Sequence, residues 1–201
     1  AIKHIDPLLN RAENIFREVE LYYNMGVRRF VFVDDIFNLD VKNSTRFFEM
    51  VIKKKLEVHF FFPNGLRSDI LTGEYIDLMA AGGTRGIGMA LESASPRIQR
   101  LLKKNLDLEK LRENAEYLCK KHPQIVLELF LMHGFPTETE EEAVMTLEFL
   151  KVLHWIDFPY LHILKIFPNT DMAAMAMENG VTAEAIARSA GLAFHELPET
   201  L

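Results

Sequence analysis

The sequence predicts an α/β fold built on a parallel sheet, and three features carry that expectation. Five short β-prone runs alternate with segments of helical periodicity. The runs are near-continuously apolar, as expected of strands covered by helices. Each run ends at polar residues, mostly beside Gly or Pro, where a chain leaving a strand must turn.

The elements follow in order. Ala12, Ile15, Val19 and Tyr22 recur at helical spacing over residues 10–25, and Gly26 supplies a stop. Phe30–Val33 reads as the first strand, ending at Asp34 and Asp35. A helix over 42–55 gathers Phe47, Phe48, Val51 and Ile52 on one side. Val58–Phe62 is the second strand, ended by Pro63–Asn64–Gly65–Leu66–Arg67. A short helix at 73–81 carries Ile76, Met79 and Ala80, and Gly86–Leu91 forms a third strand that closes on Glu92–Ser93–Ala94–Ser95. Ser95 before Pro96 is a helix N-cap with proline at the first helical position. Helical pieces follow at 96–103 and 107–121, the second with Leu108, Leu111, Ala115 and Leu118 in phase. Ile125–Met132 is the fourth strand; it stops at His133–Gly134–Phe135–Pro136, and Thr139 caps an acid-rich helix over 139–154. The last strand, Leu161–Phe167, ends at Pro168–Asn169–Thr170 before a helix at 171–179.

Two arrangements fit this register: a doubly wound open sheet, and a (β/α) barrel or part of one. Both place ligand sites at the carboxyl ends of the strands. Polar clusters at all five strand ends favour the barrel-like option, because a curved sheet converges them on one cavity.

Composition narrows the function classes. With 49% hydrophobic and 26% charged residues over 201 positions, the chain reads as one soluble domain. A formal net charge of −6 gives no support to a general nucleic-acid surface. No apolar stretch nears the roughly 20 residues of a membrane span. Residues 1–7 lack the apolar core of a secretion signal, and the single cysteine, Cys119, permits no internal disulfide. A cytoplasmic location is the expectation.

The strand-end residues have both ligand and structural readings. Adjacent Asp34 and Asp35 repel unless N–H groups, amines or cations receive them; a cap and a solvated turn acid would also serve. Asn64 beside Gly65 is a turn signal in its own right. Arg67 offers a forked donor for a carboxylate or phosphate, with Asp69 and Glu74 as equally good structural partners. A Glu directly after an apolar strand is costly unless partnered, so Glu92 and Ser93 are candidate contacts for groups such as ribose hydroxyls. Gly134 would let a ligand approach the backbone closely. His59, His133, His162 and Lys165 lie in or beside strands; with no His-x-x-His or Cys pair, the histidines read as core groups and not metal ligands. Arg97, Arg100, Lys103 and Lys104 read as a solvated helical face, and Cys119 as a buried, inert thiol. There is no Walker-type loop, no Gly-x-Gly-x-x-Gly and no nucleophile–His–acid spacing. These residues alone leave open an ordinary (β/α) lyase or isomerase using Asp35, Arg67 and Glu92.

Taken in order, Val33–Phe37, Asn64–Asp69, Glu92–Ser95, Gly134–Thr139 and Phe167–Thr170 resemble the core of radical SAM enzymes. The likeness runs from about residue 10 to about residue 180 and is nearest to the branch whose members often carry an added cobalamin-binding domain. It implies a partial (β/α)6 TIM-like barrel, incomplete at the N-terminus, over residues 1–180, with residues 181–201 leading out of it. It also implies S-adenosylmethionine across the strand ends. Asp35 would receive the amino group, Glu92 and Ser93 the ribose and methionine moieties, and the Gly134–Phe135–Pro136 turn would support the adenine. Arg67 would form a polar wall near the carboxylate or the substrate, and Asp34 and Asn64 join the cofactor-binding set.

The resemblance breaks at one place. Members of that family hold a [4Fe–4S] cluster on a Cys-x3-Cys-x2-Cys loop after the first strand, and this chain has only Cys119, elsewhere. The expectation is a piece of a longer enzyme, without the first strand and its loop and inactive alone. The parent would use the cluster to cleave S-adenosylmethionine to a 5′-deoxyadenosyl radical acting on a small-molecule substrate, and the branch it resembles admits cobalamin as a further cofactor of the parent. A degenerate homologue, or a non-catalytic barrel module holding S-adenosylmethionine or a partner, is the alternative. A missing first strand would expose an edge and favour a homo-oligomer.

Overall fold

The computed structural model describes residues 12–191 except 105 and 155. The elements are α1 (Ala12–Asn24), β1 (Arg29–Val31), α2 (Val41–Lys53), β2 (His59–Leu66), a 3-10 turn (Ser68–Ile70), α3 (Gly73–Ala81) and β3 (Thr84–Glu92). There follow α4 (Pro96–Leu101), α5 (Leu108–Lys121), β4 (Val126–His133), α6 (Glu140–Val152), β5 (Phe158–Ile163), α7 (Asp171–Glu178) and α8 (Ala183–Gly191).

The strands form one sheet in the order β1-β2-β3-β4-β5, with β1/β2 and β2/β3 parallel. A doubly wound sheet reverses strand order at a switch point. Here every strand lies beside its sequence neighbour, which is the winding of a (β/α) barrel, left open with β1 and β5 as edges. The fold class is therefore α/β, in the partial-barrel arrangement.

Local chemistry explains the elements. Asp40, Thr72, Ser95, Asp107 and Thr170 each cap a helix by accepting a backbone N–H three residues on. β2 runs four residues past Phe62 because its register shifts between Phe62 and Leu66. Pro63 has no N–H to give the ladder, and Gly65, at φ +93°, lets the strand bulge and continue. The fifth strand begins at Phe158 and stops at Ile163, four residues short of the predicted end; Leu164 still donates to the His133 carbonyl at 2.8 Å. Residues 183–191 form α8, an element beyond the predicted ones, which packs Ile186 on Ala173 and Ala176 of α7.

The chain divides into two compact units. One comprises the residues up to Ala90 with Asp107–Leu129 and Leu153–Pro159; the other comprises Leu91–Leu106, Phe130–Val152 and the residues from Tyr160 on. The core of the first unit is aromatic. Phe60 and Phe62 of β2 point to one face and meet Phe47 and Phe48 of α2, all at most 2% exposed. Phe32 stacks on Phe62 with centroids 5.2 Å apart, and Phe37 lies 4.8 Å from Phe62. Each such pair contributes about 0.5–1.5 kcal/mol beyond the area it buries. Tyr75 donates to Ser44 Oγ at 2.7 Å under this layer, and burial pushes its phenol up to about 12.

Candidate functional site

In the first unit, Asp34 and Asp35 follow β1 and are both exposed. The segment is braced through its backbone: Asn64 Nδ2 donates to the Val33 carbonyl at 2.8 Å, and Phe32 N to the Phe61 carbonyl at 2.9 Å. Arg67 makes the structural pairing, a fork onto Asp69 at 2.8 and 3.0 Å that raises its pKa further. Its backbone is clasped by Asn38, which is fully buried, donates to the Arg67 carbonyl and accepts from the Arg67 N–H, both at 2.9 Å. Asn38 is a site-shaping residue that the sequence reading missed; between Phe37 and Leu39 it carries no pattern.

In the second unit, Glu92 ends β3 at φ +63°, the left-handed region, and Lys104 Nζ meets its carboxylate at 3.0 Å. Ser93 is fully buried; its hydroxyl lies 3.3 Å from Thr146 Oγ1 and accepts from Ser95 N at 3.1 Å. Gln99 donates to the carbonyls of Leu91 and Ser93 at 2.8 and 2.6 Å. Ser95 caps α4 through Ile98 N, as its sequence implies, and donates to Glu142 Oε1 at 2.7 Å.

The turn after β4 is equally built. Gly134 sits at φ +90°, where a side chain would be strained. Glu138 folds back beneath it: Oε2 accepts from Gly134 N at 2.7 Å and Phe135 N at 3.3 Å, with His133 Nδ1 at 2.9 Å. The Glu138 side chain is 3% exposed, and Oε1 is buried without a hydrogen-bond partner. Phe135 is buried and Pro136 half-buried. A cavity of about 120 Å³ beside the turn is lined by Met132, Ala143, Leu147 and Leu161 as well as Glu138. It is well below the roughly 300–1,000 Å³ of a nucleoside-sized pocket.

Three expectations are refined. Arg97, Arg100 and Lys103 are exposed, as a solvated face requires, but Arg97 also pairs with Glu142, and Lys104 is half-buried against Glu92. His59, His133 and His162 are not core groups; all three are exposed, with His133 against Glu138 and His162 stacked on Tyr160. Cys119 is half-buried, and burial, with the Asp157 charge, pushes its thiol up to about 11. The inert-thiol reading stands. Among the described residues no three His, Cys, Asp or Glu side chains converge as a metal site.

The sequence profile of the radical SAM superfamily matches residues 2–150. The chain belongs to the radical SAM superfamily. An uncharacterised methyltransferase of Pyrococcus horikoshii is 28% identical over 171 residues, covering 85% of this chain and 36% of that protein. The ribosomal protein uS12 methylthiotransferase RimO of Aeromonas hydrophila is 26% identical over 155 residues, covering 68% of this chain and 34% of RimO. This radical SAM chain thus spans about a third of the length of these curated relatives. Its fold is that of the radical SAM methyltransferase TsrM of Kitasatospora setae, solved with cobalamin and a [4Fe–4S] cluster: TM-score 0.71 at 17% identity, over 84% of this chain and 33% of TsrM.

Members of the superfamily use S-adenosylmethionine with a [4Fe–4S] cluster. The residues of this chain do not fit the cluster, since one half-buried, protonated cysteine cannot supply three thiolates. Asp34 and Asp35 keep exposed carboxylates after β1; after β3, Glu92 is left-handed and held by Lys104, and after β4 the Gly134 and Phe135 N–H groups are taken by Glu138.

Proposed function

We propose that this chain is the S-adenosylmethionine-binding core of a radical SAM enzyme of methyl- or methylthio-transferase type, acting on a small-molecule or macromolecular substrate that residues outside the chain select. The family match over residues 2–150, which spans the ends of β1 to β4, carries the reading, and the transferase relatives support the reaction class. Residues 1–180 would form the barrel and 181–201 lead out of it. Asp35, with Asp34 beside it, would accept from the amino group of the methionine moiety; its exposure leaves the carboxylate open to that donor. Glu92 would accept from the ribose hydroxyls. The Gly134–Phe135–Pro136 turn would support the adenine, with its Gly134 and Phe135 N–H groups held by Glu138. Ser93 would act by holding the β3 end, since its hydroxyl is engaged by Thr146 and Ser95. Asn64 would fix the Asp34 segment, and Arg67 would contribute to the polar wall through the Asp69 pair.

No electron-transfer step is assigned to these residues, because the cluster's ligands are not among them. A second reading, a module that binds S-adenosylmethionine without a cluster, draws on the same cysteine count. Titration calorimetry of S-adenosylmethionine into this chain tests the first claim: binding is expected, weakened at least tenfold by Asp35→Asn. Absence of binding would overturn it. Anaerobic reconstitution with iron and sulfide should yield no 5′-deoxyadenosine, and its release would refute the cluster-free assignment.

The β1 edge also supports self-association, with Val31 and Val33 at 59% and 70% exposed. Light scattering should show a dimer or larger species at high concentration; a monomer throughout would count against it. The composition remains that expected of a cytoplasmic protein.

A further inference from the structure

We infer that Arg97 is a positioning residue for S-adenosylmethionine, acting as a clamp that fixes the β3 end against the turn after β4. The inference rests on the cofactor reading above. Arg97 lies on α4, two residues after the Ser95 cap, and its guanidinium reaches two other segments. Nε donates to Glu142 Oε1 at 2.8 Å and Nη2 to Glu142 Oε2, on α6. Nη1 donates to Thr137 Oγ1 at 3.0 Å and Nη2 to the Thr137 carbonyl at 2.6 Å, in the turn.

Each end of this clamp is tied to a ligand-facing segment. Thr137 has φ +69°, an unfavourable backbone state for a β-branched residue. Arg97 holds it there by gripping both its hydroxyl and its carbonyl, three residues from Gly134. Glu142 forms a capping box with Thr139, whose N–H donates to Oε2 at 3.0 Å while Thr139 Oγ1 accepts from Glu142 N at 3.3 Å. The same carboxylate accepts from Ser95, whose N–H is bound by Ser93 Oγ. A chain of contacts therefore runs from Ser93 through Ser95, Glu142 and Arg97 to Thr137. In the proposed complex its two ends flank the ribose and adenine contacts. The arrangement needs a planar fork with donors on several nitrogens; a lysine supplies one point charge and can keep the pairing with Glu142 but not the grip on Thr137.

The test is titration calorimetry of S-adenosylmethionine into the intact chain and its Arg97→Lys and Arg97→Ala variants, with hydrogen exchange read at Gly134 and Phe135. Arg97→Lys should keep the fold by circular dichroism and the thermal midpoint within a few degrees, yet weaken binding about tenfold or more and speed exchange at the two amides. Arg97→Ala should do the same more strongly, with some loss of stability. Wild-type affinity and exchange in Arg97→Lys would overturn the clamp while leaving the cofactor reading intact. Failure of the unaltered chain to bind would overturn the cofactor reading and the clamp together.

Discussion

The ends of β1 and β2 and the ends of β3 and β4 solve the same problem in opposite ways. At the first pair the backbone is braced by neutral amides, Asn38 on Arg67 and Asn64 on Val33, and the carboxylates of Asp34 and Asp35 stay open. At the second pair the charges themselves are the braces: Glu142 on Arg97, Glu92 on Lys104, Glu138 on the turn amides. Amides hold position without regard to pH, whereas carboxylates hold it only while ionised. The first region thus leaves Asp34 and Asp35 open beside the internal Arg67–Asp69 pair, whereas in the second Glu92, Glu138 and Glu142 each carry at least one internal partner.

Four measurements would break or sharpen this contrast. The largest effect is expected in the aromatic layer that carries the first region: Phe47→Ala should cost about 3–5 kcal/mol in denaturant unfolding. A loss below about 1 kcal/mol would show that the layer collapses around the gap. Next, Asn38→Ala strands a part-buried N–H and carbonyl of Arg67 and should cost about 1–3 kcal/mol; the urea midpoint reports it.

The third is a pH effect at one of the charged braces. Hydrogen bonds from Arg97 first, with Ser95 and the Thr139 N–H adding, hold Glu142 down to about 2. Because the folded value lies below the unfolded one near 4.3, the stabilisation is present above about pH 4.3 and is lost as pH falls towards about 2. The stability difference between wild type and Glu142→Gln should therefore shrink between pH 4.5 and pH 2. Asp77, held at about 2 by Lys121 and His122 in the first unit, should titrate alongside it, and Asp77→Asn separates the two. The smallest change is expected from Asp34→Asn, within about 0.5 kcal/mol, since the exposed carboxylate braces nothing that the fold requires. A larger shift in its thermal midpoint would mean that the open carboxylates are structural after all.

What could be read from the sequence was what acts locally. The Thr139 cap, the Ser95–Pro96 start of α4 and the existence of the five apolar strands are encoded within a few residues, although the fifth strand lies three to four residues earlier than its apolar run suggests. The partners that define the strand ends are distant in sequence: Glu142 lies 45 positions from Arg97, and Arg67 lies 29 from Asn38. Arg97 and Arg100 are both exposed on the same helix, and nothing near Arg97 in sequence marks it as the one that reaches Glu142. The exposed histidines were misplaced for a related reason. Alternation shows that a strand has two faces, but which face is covered depends on where the helices pack, and His59 falls on the exposed alternation of β2, while His162 lies in β5, whose six residues are all exposed. The winding of the sheet was likewise open until the strand order was seen.

The state of Cys119 has a practical consequence. A thiol near 11 is ionised at neutral pH to only about one part in ten thousand, against a few per cent for a free cysteine, and it is half-covered as well. Maleimide and spin-label reagents will therefore pass over it and take cysteines introduced on the surface. Ile36→Cys and Glu140→Cys, at exposed positions beside the first and second regions, would give a doubly labelled protein on the native background. The separation of the two labels could then be followed as S-adenosylmethionine is added, without removing any residue assigned to hold it.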